Sequence, residues 1–192
     1  MKTSFSMIEI LRDFVDKVDL LAIDYMLTGS FAMAAYGEIR FTRDIDVVVK
    51  LNEGHVRPFV DLFSADYYVR ELAIKRALAD RSMFNIINPV HGGKIDCIVM
   101  KDEHFSRKSF ERRWKASVSG INFWVTTKED LIVAKLNWSK DSHSPTQVKD
   151  IVNLTSTEYY SVYVAEWVKD LELDGIWAEV ERWKTQLKKT AD

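Results

Sequence analysis

The sequence predicts an α+β fold: a small mixed β-sheet with helices packed on it, followed by a helical C-terminal part. Three observations lead there. Residues 6–18 repeat apolar side chains with helical period, at Ile8, Leu11, Phe14, Val15 and Val18. Apolar, β-branched runs at 45–51, 83–87 and 94–100 have strand length and are bounded by turn-forming residues. From Thr127 to the end only helical patterns recur. The order helix, strand, helix, strand, helix, then antiparallel strands is that of a two-layer α+β arrangement. It divides the chain into a core at 1–126 and a helical part packed on it at 127–192.

Each element has its own signal. After the first helix, residues 22–28 read as a strand. Gly29-Ser30 opens a helix over 31–36, with Gly37 as its C-terminal cap. The strand at 45–51 is followed by a helix at 54–63, an extended piece at 67–72 and a helix near 74–79. Asn88-Pro-Val-His-Gly-Gly93 joins the runs 83–87 and 94–100 as a hairpin or long turn. Residues 103–115 predict a basic amphipathic helix and 123–126 a last short strand. Thr127-Lys-Glu-Asp130 resembles a capping box and starts an apolar helix through Leu136 and Asn137. A polar loop at 139–145 and a helix at 146–154 follow. The tail at 159–188 is helical, and its aromatic stripe (Tyr159, Tyr160, Tyr163, Trp167, Trp177, Trp183) reads as a packing surface.

Composition is that of an ordinary globular chain. Of 192 residues, 47% are hydrophobic and 29% charged, with a net charge of −2, so bulk charge demands no nucleic acid. One cysteine, Cys97, excludes an internal disulfide and fits a reducing, cytoplasmic setting. It reads as a small core residue. The N-terminus carries Glu9, Arg12 and Asp13 within its apolar pattern, unlike a signal peptide. No apolar run approaches the ~20 residues of a membrane span, so no membrane partner is expected.

The chemistry-bearing stretch is Leu27-Thr-Gly-Ser-Phe31 followed by Arg43-Asp-Ile-Asp-Val47, with thirteen residues between Ser30 and Asp44. Alternate residues of a strand share a face, so Asp44 and Asp46 point one way while Ile45, Val47 and Val49 point into a core. Two carboxylates held together repel unless a cation lies between them, and a hard, all-oxygen site suits Mg²⁺. A strand-to-helix turn with glycine lets backbone N–H groups approach phosphate oxygens, and the Ser30 hydroxyl adds a donor.

This pattern resembles the nucleotidyltransferase superfamily built on the DNA polymerase β fold, whose signature is Gly-Ser or Gly-Gly, about ten residues, Asp-x-Asp and a later third acid. Asp96 in Gly93-Lys-Ile-Asp-Cys-Ile-Val99 best matches that third acid. The phrase Ala35-Tyr-Gly-Glu-Ile-Arg-Phe-Thr-Arg-Asp-Ile-Asp46, with Glu129-Asp-Leu-Ile-Val-Ala-Lys135 and Lys149-Asp-Ile151, is similar to a small prokaryotic branch that includes enzymes of toxin–antitoxin systems. The resemblance covers roughly residues 20–155. It implies a polymerase β-like fold and transfer of a nucleoside monophosphate from a nucleoside triphosphate, with release of pyrophosphate. It also implies two Mg²⁺ ions held by Asp44, Asp46 and Asp96, and an acceptor that is a tRNA end, a protein or a small molecule. Gly29, Ser30, Arg40, Thr42, Arg43 and Lys135 are the expected nucleotide-binding residues, with Lys149 and Asp150 as further candidates. A cognate toxin or antitoxin is the implied protein partner. The alternative is a catalytically silent nucleotide- or partner-binding protein of the same fold, acting as an antitoxin.

Other motifs point nowhere else. The basic positions Arg107, Lys108, Arg112, Arg113 and Lys115 are diluted by Glu103 and Glu111 and read as a solvated helix face. His91 falls in the glycine turn, and His55, His104 and His143 have no zinc spacing. The chain contains no P-loop, dinucleotide fingerprint or nucleophile elbow.

Overall fold

The structure is a computed structural model that describes residues 7–38, 44–90, 92–142 and 144–191. Arg40, Thr42, Arg43, His91 and His143 lie outside the described residues. The chain forms two compact units, Met1–Ala35 with Ile39–Thr126, and Tyr36–Glu38 with Thr127–Asp192. Among the described residues no helix is long and apolar enough to cross a membrane.

The first unit runs α1 (Met7–Leu20), β1 (Tyr25–Thr28), α2 (Gly29–Ala32), β2 (Asp44–Val49), α3 (Glu53–Phe63), α4 (Glu71–Asp80), β3 (Met83–Ile87), β4 (Lys94–Val99), α5 (His104–Glu111), β5 (Trp114–Val118) and β6 (Ile121–Val125). Its strands form one mixed six-stranded sheet in the order β3-β4-β2-β1-β6-β5. β2 and β4 are parallel, as are β1 and β6, and the other pairs are antiparallel. This is the mixed sheet that the sequence predicts.

Register assigns the two faces of this sheet. Leu27 pairs with Val47, Val47 with Cys97 and Cys97 with Phe84, so these apolar side chains share one face with Tyr25, Ile45, Val49 and Ile95. All of them are buried. Helices α1 and α3 pack there through rings: Phe14 meets Tyr25 edge-on at 6.2 Å, Phe59 stacks on Phe63 at 4.2 Å, and Phe84 stands edge-on to Phe59 at 5.7 Å. Burying apolar surface, these rings included, is the main favourable term in folding. The other face carries Thr28, Asp44, Asp46, Lys94, Asp96 and Asn85.

Several predicted elements change in extent. The strand expected at 22–28 begins only at Tyr25, because Ala22 has φ +53 and turns the chain before it. The helix expected at 31–36 is one α-turn, Gly29–Ala32, continued by a 3₁₀ turn, Met33–Tyr36. The extended piece at 67–72 shrinks to one bridge between Tyr68 and Ile87 before α4 begins at Glu71. The basic helix expected at 103–115 stops at Glu111, and Trp114–Val118 is a strand. Ser119 and Gly120 both have positive φ, +52 and +73, which is the backbone of a tight two-residue hairpin joining β5 to β6.

The second unit contains α6 (Lys128–Ser142), α7 (Pro145–Leu154), α8 (Ser161–Asp170) and α9 (Asp174–Ala191). Thr127 caps α6: its hydroxyl accepts from the Asp130 N–H at 3.2 Å and donates to the Asp130 carboxylate at 2.6 Å. The other oxygen of Asp130 accepts from the Tyr163 hydroxyl at 2.6 Å, tying α6 to α8. The loop expected from residue 139 is mostly the last turn of α6. The tail expected as one helical stretch breaks between α8 and α9, where Glu172 has φ +55. Of its aromatic residues, Tyr163 and Trp167 are buried within this unit and Tyr160 is exposed. The Lys184 ammonium lies over the faces of Trp177 and Tyr159, at 5.2 and 6.0 Å.

Candidate functional site

Parallel pairing of β2 with β4 puts Asp44 beside Lys94 and Asp46 beside Asp96. Neighbouring strands lie about 4.8 Å apart and alternate residues share a face, so these four side chains form a two-by-two block on the polar face. Aspartate is disfavoured in strands, yet three occur here within two otherwise apolar runs. All three sequence-predicted acids therefore meet on one surface.

Their environments differ. The Asp44 side chain is 46% exposed, whereas that of Asp96 is 9% exposed. The Lys94 ammonium lies 2.8 Å from Asp96 Oδ2 and 3.6 Å from Asp44 Oδ2. The hydrogen bond to Asp96 raises the Lys94 pKa above the ordinary lysine value, with the Asp44 charge adding to the effect. Among the described residues, Asp96 Oδ1 is buried and accepts no hydrogen bond. An orphaned buried carboxylate oxygen is costly in any protein.

Gly29 closes the block from a third strand. Thr28, the last residue of β1, pairs with Asp46, and Gly29 follows it with φ +62. A Cβ built on Gly29 would lie 2.0 Å from Asp46 Oδ2. The backbone therefore presses against that carboxylate, an approach open only to glycine. Ser30 follows in α2 and is largely buried. Gly29, Asp44, Asp46 and Asp96 are thus brought together, with Ser30 next to Gly29 in α2.

Lys135 has a different setting, in the helical unit. Its ammonium donates to Asp150 Oδ2 at 2.8 Å and to Gln147 Oε1 at 3.0 Å. Both members of the ion pair are almost fully buried, at 4% and 3% side-chain exposure. Lys149 is exposed on α7. Of the basic positions of the α5 region, Arg107, Lys108 and Lys115 are exposed, with Arg107 bonding Asp102 at the surface, whereas Arg113 pairs with Asp24 at 3.1 Å and stacks on Phe110. A groove of about 830 Å³ in the first unit is lined by Glu9, Asp13, Asp66 and Tyr67 among others, and none of the candidate residues lines it.

The donor set suits a hard divalent cation: carboxylate oxygens on rigid strands, one of them buried and lacking a donor. Among the described residues, however, no three His, Cys, Asp or Glu side chains form a ready-made cation cage. Within the block the Lys94 ammonium sits against two of the three acids. Sequence reasoning missed Lys94. Its signal was present, because residue 94 shares the face of residue 96 by the same alternation that selected Asp44 and Asp46.

No family model matches the chain, and no curated protein does. Solved structures do. An antigenic nucleotidyltransferase-like protein from Paracoccidioides brasiliensis superposes with a TM-score of 0.60 at 14% identity, over 94% of this chain and 89% of that one. ANT(2")-Ia in complex with adenylyl-2"-tobramycin gives 0.51 at 11% identity, over 92% of this chain and 97% of that one. The lincosamide antibiotic adenylyltransferase LnuA with lincomycin bound gives 0.50 at 14% identity, over 76% and 94%. Identity this low speaks to architecture alone, and together with the mixed sheet and its polar face it shows that the chain has the nucleotidyltransferase fold.

Proposed function

We propose that this protein is a Mg²⁺-dependent nucleotidyltransferase. It binds a nucleoside triphosphate and transfers the nucleoside monophosphate to a hydroxyl-bearing acceptor. The acceptor oxygen bonds to the α-phosphorus, the bond from that phosphorus to the β-phosphate breaks, pyrophosphate leaves, and the hydroxyl proton passes to solvent. The observation that carries this reading is the registered pair Asp46–Asp96, with Asp44 on the same face and Gly29 against Asp46.

Asp44, Asp46 and Asp96 are the residues that would hold two Mg²⁺ ions. When bound there, divalent cations would supply charge neutralisation for the crowded phosphate oxygens and would make the acceptor hydroxyl more nucleophilic. Gly29 offers its backbone and Ser30 its hydroxyl to the phosphates. Because α2 is a single turn, this grip rests on local N–H and O–H donors rather than on a long helix. Arg40, Thr42 and Arg43, just ahead of β2, are assigned to the same triphosphate. The Lys135–Asp150 pair is read as packing of the helical unit, since its ammonium is already committed to Asp150 and Gln147.

The acceptor and biological setting follow from separate supports. The resemblance at 35–46 and 129–135 favours a toxin–antitoxin pair, with a tRNA end or a partner protein as acceptor. Two of the matching folds carry antibiotic names, which supports a small-molecule acceptor. One experiment separates them. The protein is incubated with Mg²⁺, each of the four α-labelled triphosphates and a cell extract, and the labelled species is identified as RNA, protein or small molecule. Wild type is expected to label one of these, and the double variant Asp44→Asn, Asp46→Asn none. Equal labelling by both overturns the reading. A second reading, a silent nucleotide-binding antitoxin, is favoured by the Lys94 ammonium that already balances two of the acids. Nucleotide bound with no transfer to any extract component would select it.

A further inference from the structure

Lys94 is the one basic side chain in the two-by-two block. It has a fixed place in the fold, as the first residue of β4, in register with Asp44 and on the face of Asp96. Its ammonium touches both carboxylates, at 2.8 and 3.6 Å. It is also a lysine and not an arginine, so the charge is compact and rides on a flexible stem rather than a rigid planar fork. That stem is 35% exposed, which leaves the ammonium a route outward. Meanwhile Asp96 is only half satisfied: Oδ2 accepts from Lys94, and Oδ1 is buried with no donor.

We propose that Lys94 is the resident counter-cation of the acid cluster. Its ammonium holds Asp44 and Asp96 in place in the metal-free protein and gives way when a divalent cation binds. This rests on the reading of Asp44, Asp46 and Asp96 as the metal-holding residues. The physical argument is a competition. A cation entering beside Asp96 would satisfy the orphaned Oδ1, but would meet the ammonium at close range. Lys94 therefore weakens metal binding in the nucleotide-free protein. The phosphates of a nucleotide offer the ammonium another partner, so nucleotide and metal favour each other's binding.

The test is direct binding of Mn²⁺ alone, followed by loss of the free-ion electron paramagnetic resonance signal on titration into the whole protein. Lys94→Met is expected to bind Mn²⁺ at least about tenfold more tightly than wild type. Lys94→Arg, which keeps the charge, is expected to bind Mn²⁺ at least about tenfold more weakly than Lys94→Met. Lys94→Met binding no more tightly than wild type overturns the proposal, and so does Lys94→Arg behaving like Lys94→Met. Asp46→Asn in the Lys94→Met background is expected to lose the gain. If instead it binds as tightly as Lys94→Met, the acids are not the metal site and the parent reading fails. Lys94→Gln repeats the measurement if the methionine variant does not fold. Should both uncharged variants fold only when Mn²⁺ is supplied, the counter-cation role is supported. Failure to fold with or without Mn²⁺ overturns it, because a cation then does not replace what Lys94 provides.

Discussion

Gly29 is held at φ +62 with its Cα against the Asp46 carboxylate. Gly29→Ala must therefore do two unfavourable things: hold a left-handed backbone with a Cβ, and push Asp46 out of its place. The first costs about 1–2 kcal/mol. The second disturbs the block that carries the proposed chemistry. Denaturant unfolding is expected to show a loss of at least about 1 kcal/mol, and the labelling assay near-complete loss of transfer. Retention of full activity would show that the close approach of Gly29 has no part in it. Cys97 occupies the opposite face of β4 and is fully buried. Burial pushes its thiol pKa up, with the neighbouring Asp96 charge adding to the effect. A thiol reagent is therefore expected to modify native protein only as fast as the sheet opens, and denatured protein at the rate of a free thiol. Fast labelling of native protein would contradict the buried position. At this scale the acids were legible, since an aspartate in an apolar strand stands out against its neighbours. The alternation that puts Lys94 on the face of Asp96 was legible too, but a lysine at the start of a strand looks like an ordinary solvated end.

The elements were legible where one periodicity ran unbroken. The α1 stripe, the β2 alternation and the runs of β3 and β4 each have a single pattern, and each appears close to where the sequence puts it. The β5 strand was hidden by the charges of Arg112, Arg113 and Lys115, which extend the basic pattern of α5 past its true end. Its signal was the Ser119-Gly120 pair, whose left-handed backbone matches the twist of a hairpin. The break between α8 and α9 was concealed in the same way, by a charged residue, Glu172, at positive φ. Within the helical unit, the Lys135–Asp150 pair joins α6 to α7 in a nearly water-free setting. Removing one partner leaves the other charge buried and unpaired. Asp150→Ala or Lys135→Met is thus expected to destabilise by about 3–5 kcal/mol, and an apolar pair at both positions to recover most of that. Urea unfolding of the two single variants and the double variant measures it. If Lys135→Met leaves stability unchanged yet abolishes nucleotide binding, the lysine serves the ligand and not the helices.

For the whole molecule, the block of three carboxylates and one ammonium makes a thermodynamic prediction that needs no acceptor. A ligand that binds only the folded state raises stability by RT ln(1 + [L]/Kd), about 2.7 kcal/mol at a hundredfold excess over Kd. In a chain of 192 residues, each kcal/mol moves the melting temperature by about 2–4 °C. Mg²⁺ with a non-hydrolysable triphosphate is therefore expected to raise Tm by about 5–10 °C at that excess, and Mg²⁺ alone by much less, because Lys94 already occupies Asp44 and Asp96. Asp44→Asn with Asp46→Asn is expected to abolish the shift. The shape of the melt adds a second answer, since the chain is built of two compact units. If they unfold as one, a single transition moves; if they unfold separately, only the transition of the sheet-bearing unit moves, because that unit holds the acids. A shift of equal size in wild type and in the double aspartate variant would place the nucleotide away from β2 and β4. The nucleotidyltransferase fold would then stand without the chemistry proposed for it.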